Sequence, residues 1–142
     1  MSVDVKYRTK ATATGGRDGH SATEDGAVDV KLVTPKELGG AGGDGVNPEQ
    51  LFATGYAACF MGALKFVASQ DKVELSSESS VSAEVGIGPR ADGGGFGLEV
   101  DLIITLPGIE ADIADDLIAR AHVVCPYSNA TQNNIRVGLS RG

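Results

Sequence analysis

Two cysteines, Cys59 and Cys125, are the side chains of this sequence best suited to covalent chemistry. Cys59 lies in the apolar run AACFMGA and Cys125 in the segment HVVCPYSNAT, so they do not form a local motif such as C-x-x-C. Two cysteines are too few for the disulfide framework of a small secreted protein. Each is therefore either a reactive thiol or a small buried hydrophobe, which is common for free cysteine.

The local sequence favours Cys125 as the more acidic thiol. A residue that precedes proline is kept out of the helical region, and Pro126 can occupy the first position of a helix. Cys125 is therefore predicted at a helix N-terminus, where the helix dipole stabilises a thiolate. His122 could assist it or be an ordinary surface side chain. Burial would raise the pKa of the Cys59 thiol unless a cation approaches it.

Arg17 is a candidate for that cation. It lies in the glycine-rich segment TATGGRDG (12–19), where Asp and Gly predict a turn. Spacing alone describes a solvated loop arginine equally well, so these residues leave the role of Arg17 open.

Alternating and helical patterns predict the elements that must position these residues. The alternating pattern predicts five strands, at 3–14, 27–33, 80–88, 97–106 and 135–139. We expect the first two strands to form one hairpin and the next two another. Helical spacing predicts three helices, at 47–70, at 109–124 and from Pro126 onward. Strands with inserted helices indicate an α+β fold, which we expect residues 1–142 to form as a single domain.

The helix at 47–70 has the clearest boundaries. Asn47 is a good N-cap, Pro48 suits the first helical position, and Gln50 completes a capping box. A helix of about 23 residues would be roughly 35 Å long. Its apolar residues surround the axis, so it is predicted to be buried on most sides. In a domain this small, such burial favours an obligate dimer.

Residues 51–68 of this helix (LFATGYAACFMGALKFVA) approach the lower limit for a membrane span. Lys65, Thr54, several small residues and the lack of aromatic and basic flanks favour a buried helix of a soluble domain instead. The N-terminal segment MSVDVKYRTK has no apolar region typical of a signal peptide, so we expect a cytoplasmic protein without a membrane partner.

Composition bounds the function class. Hydrophobic residues make up 42% of the chain and charged residues 22%, which is typical of a globular protein. Twelve Lys and Arg against 19 Asp and Glu give a formal net charge of −7. An acidic surface repels phosphate backbones, which argues against nucleic-acid binding.

Three segments in combination carry a family resemblance: TATGGRDG (12–19), TPKELGGAGGDGVNPEQLFATGYAACFMGALKFVA (34–68) and RAHVVCPYSNAT (120–131). They resemble the organic hydroperoxide resistance branch of the OsmC/Ohr family of thiol peroxidases, and the similarity extends from about residue 7 to residue 139. One departure is Gln132-Asn133, where the family pattern leads us to expect Arg-Gly. The resemblance implies an intertwined α+β homodimer with active sites at the subunit interface, in which a long buried central helix carries Cys59 and packs against an antiparallel sheet.

The resemblance also implies an activity and assigns residues to it. Cys59 matches the peroxidatic cysteine and Cys125 the resolving cysteine, which reverses the local ranking of the two thiols. Arg17 matches the arginine that stabilises the thiolate, and Glu49 in NPEQLF matches the carboxylate that orients this arginine. The family reduces organic and fatty-acid hydroperoxides in preference to hydrogen peroxide, needs no cofactor or metal, and is recycled by a dithiol, expected to be lipoyl.

The implied mechanism uses both thiols. Cys59 attacks a peroxide oxygen, releases an alcohol and becomes a sulfenic acid. Cys125 condenses with it to form a disulfide, which requires Cα atoms within about 7 Å. A dithiol then reduces this bond by exchange.

Helix geometry predicts where the parts of the site come from. Glu49 and Cys59 are ten residues apart on the predicted helix, hence about 15 Å along a straight axis. They could share one pocket only if the helix kinked, for example at Gly55. Antiparallel helices across a two-fold axis would instead bring Glu49 of one chain toward Cys59 of the other, so we predict a composite site. Three aromatic residues are candidates for an apolar substrate pocket, although each could equally be core: Phe52, Phe96 and Tyr127.

Three other functions fit parts of the sequence. Residues 40–45 match G-x-G-x-x-G before a helix, but residues 35–38 separate them from the preceding strand and no βαβ unit is evident. Cys59 and Cys125 could form a sensing or structural disulfide in a binding module, which would oxidise once without turnover. A zinc site could be built from both cysteines and both histidines, His20 and His122, but their spacing fits no known ligand pattern.

Overall fold

The computed structural model describes residues 1–142 and divides into two compact units, residues 1–51 and 52–142. Three helices and two three-stranded sheets confirm the α+β class. In chain order the elements are β1 (Ala11–Thr14), β2 (His20–Thr23), β3 (Asp29–Lys31), α1 (Pro48–Gln70), β4 (Ser80–Pro89), β5 (Phe96–Thr105), α2 (Ala111–Val124), α3 (Pro126–Thr131) and β6 (Val137–Arg141). Two 3-10 turns, Gly16–Asp18 and Lys36–Leu38, complete the first unit.

The first unit contains an antiparallel sheet in the order β1-β2-β3. The predicted hairpin between residues 3–14 and 27–33 is wrong, because β2 lies between these strands and pairs with both. The sequence of β2, HSAT, is short and polar and therefore carries no alternating signal. β1 is also shorter than predicted, since β2 offers four residues and all of them are paired with β1.

The second unit contains the sheet β4-β5-β6. The hairpin of β4 and β5 confirms the prediction, with ten residue pairs in antiparallel register. β6 confirms the closing strand, two residues later than predicted, and it runs parallel to β5. A parallel neighbour requires a crossover connection, which α2 and α3 provide.

Helix α1 supplies one side of the core of the second unit. Its buried residues recur at helical spacing and pack with β5 and α2 in one hydrophobic cluster, which includes Tyr56, Phe60, Leu64, Val67, Val100, Leu102, Ile104, Leu117 and Ala121. The single chain buries α1 along this stripe only, and apolar residues such as Phe66 (52% exposed) lie outside it, so burial of α1 on most sides, which the sequence links to a dimer, stays a prediction. By length and composition α1 could also cross a membrane, a property shared by core helices of soluble proteins.

The helix ends follow the sequence signals. The backbone N–H of Gln50 donates to the Asn47 side chain at 2.9 Å, and the N–H of Asn47 donates to the Gln50 side chain at 2.9 Å. This reciprocal pair confirms the predicted capping box. Cys125 ends α2 and precedes Pro126, the first residue of α3, as the sequence predicts.

Candidate active site

The second unit brings the two cysteines together. Cys59 lies on α1 and Cys125 lies between α2 and α3, and their Sγ atoms are 3.5 Å apart. Both are free thiols, Cys125 fully buried and Cys59 partly exposed. A disulfide would require an approach of only about 1.5 Å. Small side-chain movements therefore suffice to join them.

Cys59 has an unexpected neighbour. Burial raises the pKa of its thiol, and the backbone N–H of Tyr127 opposes this rise because it hydrogen bonds to the Cys59 sulfur. The second residue of α3 thus offers its N–H to Cys59, whereas local sequence assigned the benefit of this helix end to Cys125. The local ranking of the two thiols stays a prediction, and the contact of α3 with α1 is one that no local pattern reveals.

The first unit holds the predicted arginine–carboxylate pair. Arg17 Nη1 donates to Glu49 Oε2 at 2.8 Å and Nη2 to Oε1 at 2.6 Å, which is bidentate geometry. The Glu49 side chain is only 14% exposed and that of Arg17 is 38% exposed. The hydrogen bonds from Arg17 lower the pKa of Glu49, and those to Glu49 raise the pKa of Arg17. Both groups are therefore charged at neutral pH.

A tight turn presents Arg17. Gly15 has φ of +74°, and a Cβ on Gly19 would lie 1.7 Å from the carbonyl oxygen of Thr14, so this close approach requires glycine. The Asp18 carboxylate accepts the backbone N–H of Thr34 at 3.0 Å, which lowers the pKa of Asp18. The predicted turn at residues 17–19 is thus present. The hydrogen bond from Thr34 to Asp18 and the close approach of Gly19 to Thr14 hold it in place.

The three aromatic pocket candidates are placed differently. The rings of Phe52 and Tyr127 are 6.2 Å apart, and Gly55 lets Tyr127 lie against α1, since a Cβ there would be 3.1 Å from the phenol oxygen. Phe96 is 69% exposed and shares with Phe52 the lining of a cavity of about 780 Å³. Polar residues also line this cavity, and neither cysteine does. The assignment of these aromatic residues to substrate binding stays a prediction.

Neither histidine joins the cysteines in a metal site. No group of three or more His, Cys, Asp or Glu side chains could hold a metal ion. His20 contacts Asp29, and His122 contacts Ser128. The glycine-rich loop at 40–45 follows β3 of an antiparallel sheet, so the parallel unit of a dinucleotide site is absent.

Sequence reasoning missed one group of polar residues beside the thiols. The Tyr56 phenol oxygen lies 2.8 Å from Ser128 Oγ and 3.2 Å from Thr131 Oγ1. His122 Nδ1 lies 2.8 Å from the same Ser128 oxygen. A tyrosine within the apolar run of α1, and two hydroxyl residues three positions apart in α3, are the signals that could have indicated this cluster.

Comparison with known proteins gives a consistent result. A family model described as OsmC-like protein matches residues 40–140. The organic hydroperoxide resistance protein of Xanthomonas axonopodis pv. citri (strain 306) is 57% identical over 136 residues, which cover 96% of this chain and 94% of that protein.

Two solved structures are similar over nearly their whole length. The organic hydroperoxide resistance protein from Elizabethkingia anophelis, with thiocyanate bound, has a TM-score of 0.92 and 48% identity, covering 99% of each chain. The organic hydroperoxide resistance protein OsmC from Legionella pneumophila has a TM-score of 0.92 and 45% identity, covering 98% of this chain and 99% of its own. The similarity therefore includes both units.

Proposed function

Because the chain belongs to the organic hydroperoxide resistance branch of the OsmC family, we propose that it is a thiol-dependent peroxidase that reduces organic hydroperoxides to alcohols. Relatives named for organic hydroperoxide resistance support this substrate class, which includes alkyl and fatty-acid hydroperoxides. The observation that carries the mechanism is the 3.5 Å separation of the Cys59 and Cys125 sulfur atoms.

Exposure supports Cys59 as the peroxidatic thiol. Cys125 has no exposed surface, so a hydroperoxide can reach only the partly exposed Cys59. The Tyr127 N–H stabilises the thiolate form of Cys59, whereas burial of Cys59 disfavours it. In the mechanism we propose, the positive charge of Arg17 offsets the effect of burial. Glu49 engages two N–H groups of the guanidinium and leaves its others for the thiolate or the peroxide.

The proposed reaction balances without a cofactor. The Cys59 thiolate attacks the terminal oxygen of ROOH, the O–O bond breaks, and the alkoxide takes up a proton and leaves as ROH. The Cys59 sulfenic acid then reacts with Cys125, which loses its proton, and water leaves as the S–S bond forms. An external dithiol, which we propose is lipoyl, reduces the disulfide by two exchange steps.

Peptide mass spectrometry tests this proposal. One equivalent of tert-butyl hydroperoxide is added to the reduced protein, and hydrogen peroxide is added to a matched sample. We expect rapid formation of the Cys59–Cys125 disulfide with the organic peroxide and slower formation with hydrogen peroxide. Many equivalents should be consumed when a dithiol is present, whereas a sensor would oxidise once. Two thiols that stay reduced would contradict the proposal.

Replacement of Cys125 separates the two steps. In Cys125→Ser we expect the first oxidation of Cys59 to proceed within about threefold of the wild-type rate, because the nucleophile and its Tyr127 contact remain. The disulfide cannot form, so a Cys59 sulfenic acid should accumulate and proceed to sulfinic acid with excess peroxide. Trapping with dimedone followed by mass spectrometry measures both species. Loss of the first oxidation would show that Cys125 has a further role.

We propose that the protein is located in the cytoplasm. We also propose an intertwined homodimer with a composite site, which the exposure of apolar α1 residues such as Phe66 supports. Co-expression of differently tagged Cys59→Ser and Arg17→Met chains tests this arrangement. If Arg17 acts across the interface, the mixed dimer contains one complete site and should recover about half the wild-type rate per dimer. If all residues act within one chain, it stays inactive. A mixed dimer of wild type and Cys59→Ser is the matched control.

A further inference from the structure

A buried network of hydrogen bonds connects α1, α3 and α2. Tyr56, Ser128 and Thr131 are at most 6% exposed, and their hydroxyl groups contact one another at 2.8 and 3.2 Å. His122 of α2 extends the network through Ser128 Oγ. A buried hydroxyl without a hydrogen-bond partner costs free energy, so each of these hydroxyls must find its partner among its neighbours.

The number of available hydrogens fixes the direction of the hydrogen bonds in this network. The Thr131 hydroxyl donates to the carbonyl oxygen of Ser128 at 3.1 Å, so at the Tyr56 contact Thr131 accepts and the phenol donates. Tyr56 must then accept from Ser128, whose only hydrogen is thereby used. His122 Nδ1 therefore carries a hydrogen and donates to Ser128. Burial lowers the pKa of His122, so at neutral pH its other ring nitrogen is unprotonated.

This hydrogen-bond network holds in place the segment that contains Cys125 and Tyr127, the two residues that contact the Cys59 sulfur. Tyr56 lies three residues before Cys59 on α1, and its phenol is bonded to two side chains of α3. α3 begins directly after Cys125, and its second residue is Tyr127. We infer that Tyr56, Ser128, Thr131 and His122 are positioning residues that hold the start of α3 so that the Tyr127 N–H and the Cys125 sulfur face Cys59.

The inference rests on the proposed function only in one respect, namely that the positioned Cys59 thiolate reacts with a hydroperoxide. The positioning itself is a property of the reduced protein and is measurable without peroxide. The titratable groups in the surroundings are Cys125 and Tyr127 at the α3 start, Tyr56 of α1 and His122 of α2. Of these, Cys125 contacts the Cys59 sulfur directly, and His122 keeps its Nδ1 hydrogen whether or not the ring becomes protonated.

Tyr56→Phe tests the inference. The variant keeps the ring and removes the hydroxyl, so α3 loses the two hydrogen bonds that Ser128 and Thr131 make with Tyr56. We expect the pH profile of Cys59 alkylation by iodoacetamide, followed by mass spectrometry, to shift to higher pH. At neutral pH the rate should fall about threefold to tenfold, which corresponds to half to one pKa unit, and the rate at the alkaline plateau should be unchanged. The matched control is Tyr7→Phe, since Tyr7 is 78% exposed.

Thr131→Val provides a second variant, because it keeps the side-chain shape and removes the acceptor for Tyr56, together with the hydrogen bond from Thr131 to the Ser128 carbonyl oxygen. A smaller shift in the same direction is expected. His122→Asn retains an N–H near the Nδ1 position and should restore the profile that His122→Ala loses. Unchanged profiles in correctly folded Tyr56→Phe and Thr131→Val would overturn the inference. Shifted profiles in a protein without peroxide turnover would support the positioning and contradict the proposed function.

Discussion

Cys59→Ser is expected to reduce turnover of tert-butyl hydroperoxide by about 10³-fold or more, because it removes the atom that we propose attacks the peroxide. A serine hydroxyl is far less acidic than a thiol and cannot pass through a sulfenic acid. The coupled consumption of peroxide and dithiothreitol measures this loss. A rate within about tenfold of the wild type would place the chemistry elsewhere.

The serine variant should fold normally, which makes the loss interpretable. Serine is slightly smaller than cysteine, and its oxygen can accept the Tyr127 N–H as the sulfur does. Partial exposure of the site reduces the cost of the volume change. Cys125 remains and serves as an internal control: if it were the attacking thiol, Cys59→Ser would still consume one equivalent of peroxide.

The parts of the fold that sequence predicts well are those determined locally. Asn47, Pro48 and Gln50 specify the start of α1 through a capping box that needs no tertiary contact. The hairpin of β4 and β5 follows from ten alternating residues on each side of a glycine-rich connection. β2 was missed because its four residues gain their strand conformation from two neighbours, not from their own pattern.

The candidate site, in contrast, depends on contacts between distant segments and could not be predicted from local sequence. Arg17 and Glu49 are 32 positions apart, and only family resemblance suggested that they would meet. Local reasoning correctly placed a helix start after Cys125 but gave no sign that the Tyr127 N–H of this helix faces Cys59. The approach of α3 to α1 decides this point, and side-chain packing across distant segments determines that approach. The hydrogen bonds of Tyr56 were missed for the same reason.

Arg17→Lys should be the second most damaging change, lowering kcat/KM for tert-butyl hydroperoxide by about 10²-fold, the scale of losing one preorganised transition-state contact. Lysine keeps the charge but cannot form the two parallel hydrogen bonds that fix Arg17 on Glu49. Steady-state kinetics at several peroxide concentrations measure the effect. A fall of less than about threefold would mean that charge alone suffices.

Glu49→Gln should lower kcat/KM by a smaller factor, about tenfold, since the amide accepts from Arg17 through only one oxygen.

The same variant also measures how the charge of Glu49 contributes to stability as the pH changes. The folded-state pKa of Glu49 is lower than the unfolded value, so its stabilisation is complete above about pH 4.5 and is lost as pH falls through the folded value. The difference in Tm between wild type and Glu49→Gln should therefore be constant at neutral pH and shrink at lower pH. Because Arg17 stays charged throughout, a difference that persisted at pH 2 to 3 would show that the amide disturbs packing rather than the ion pair.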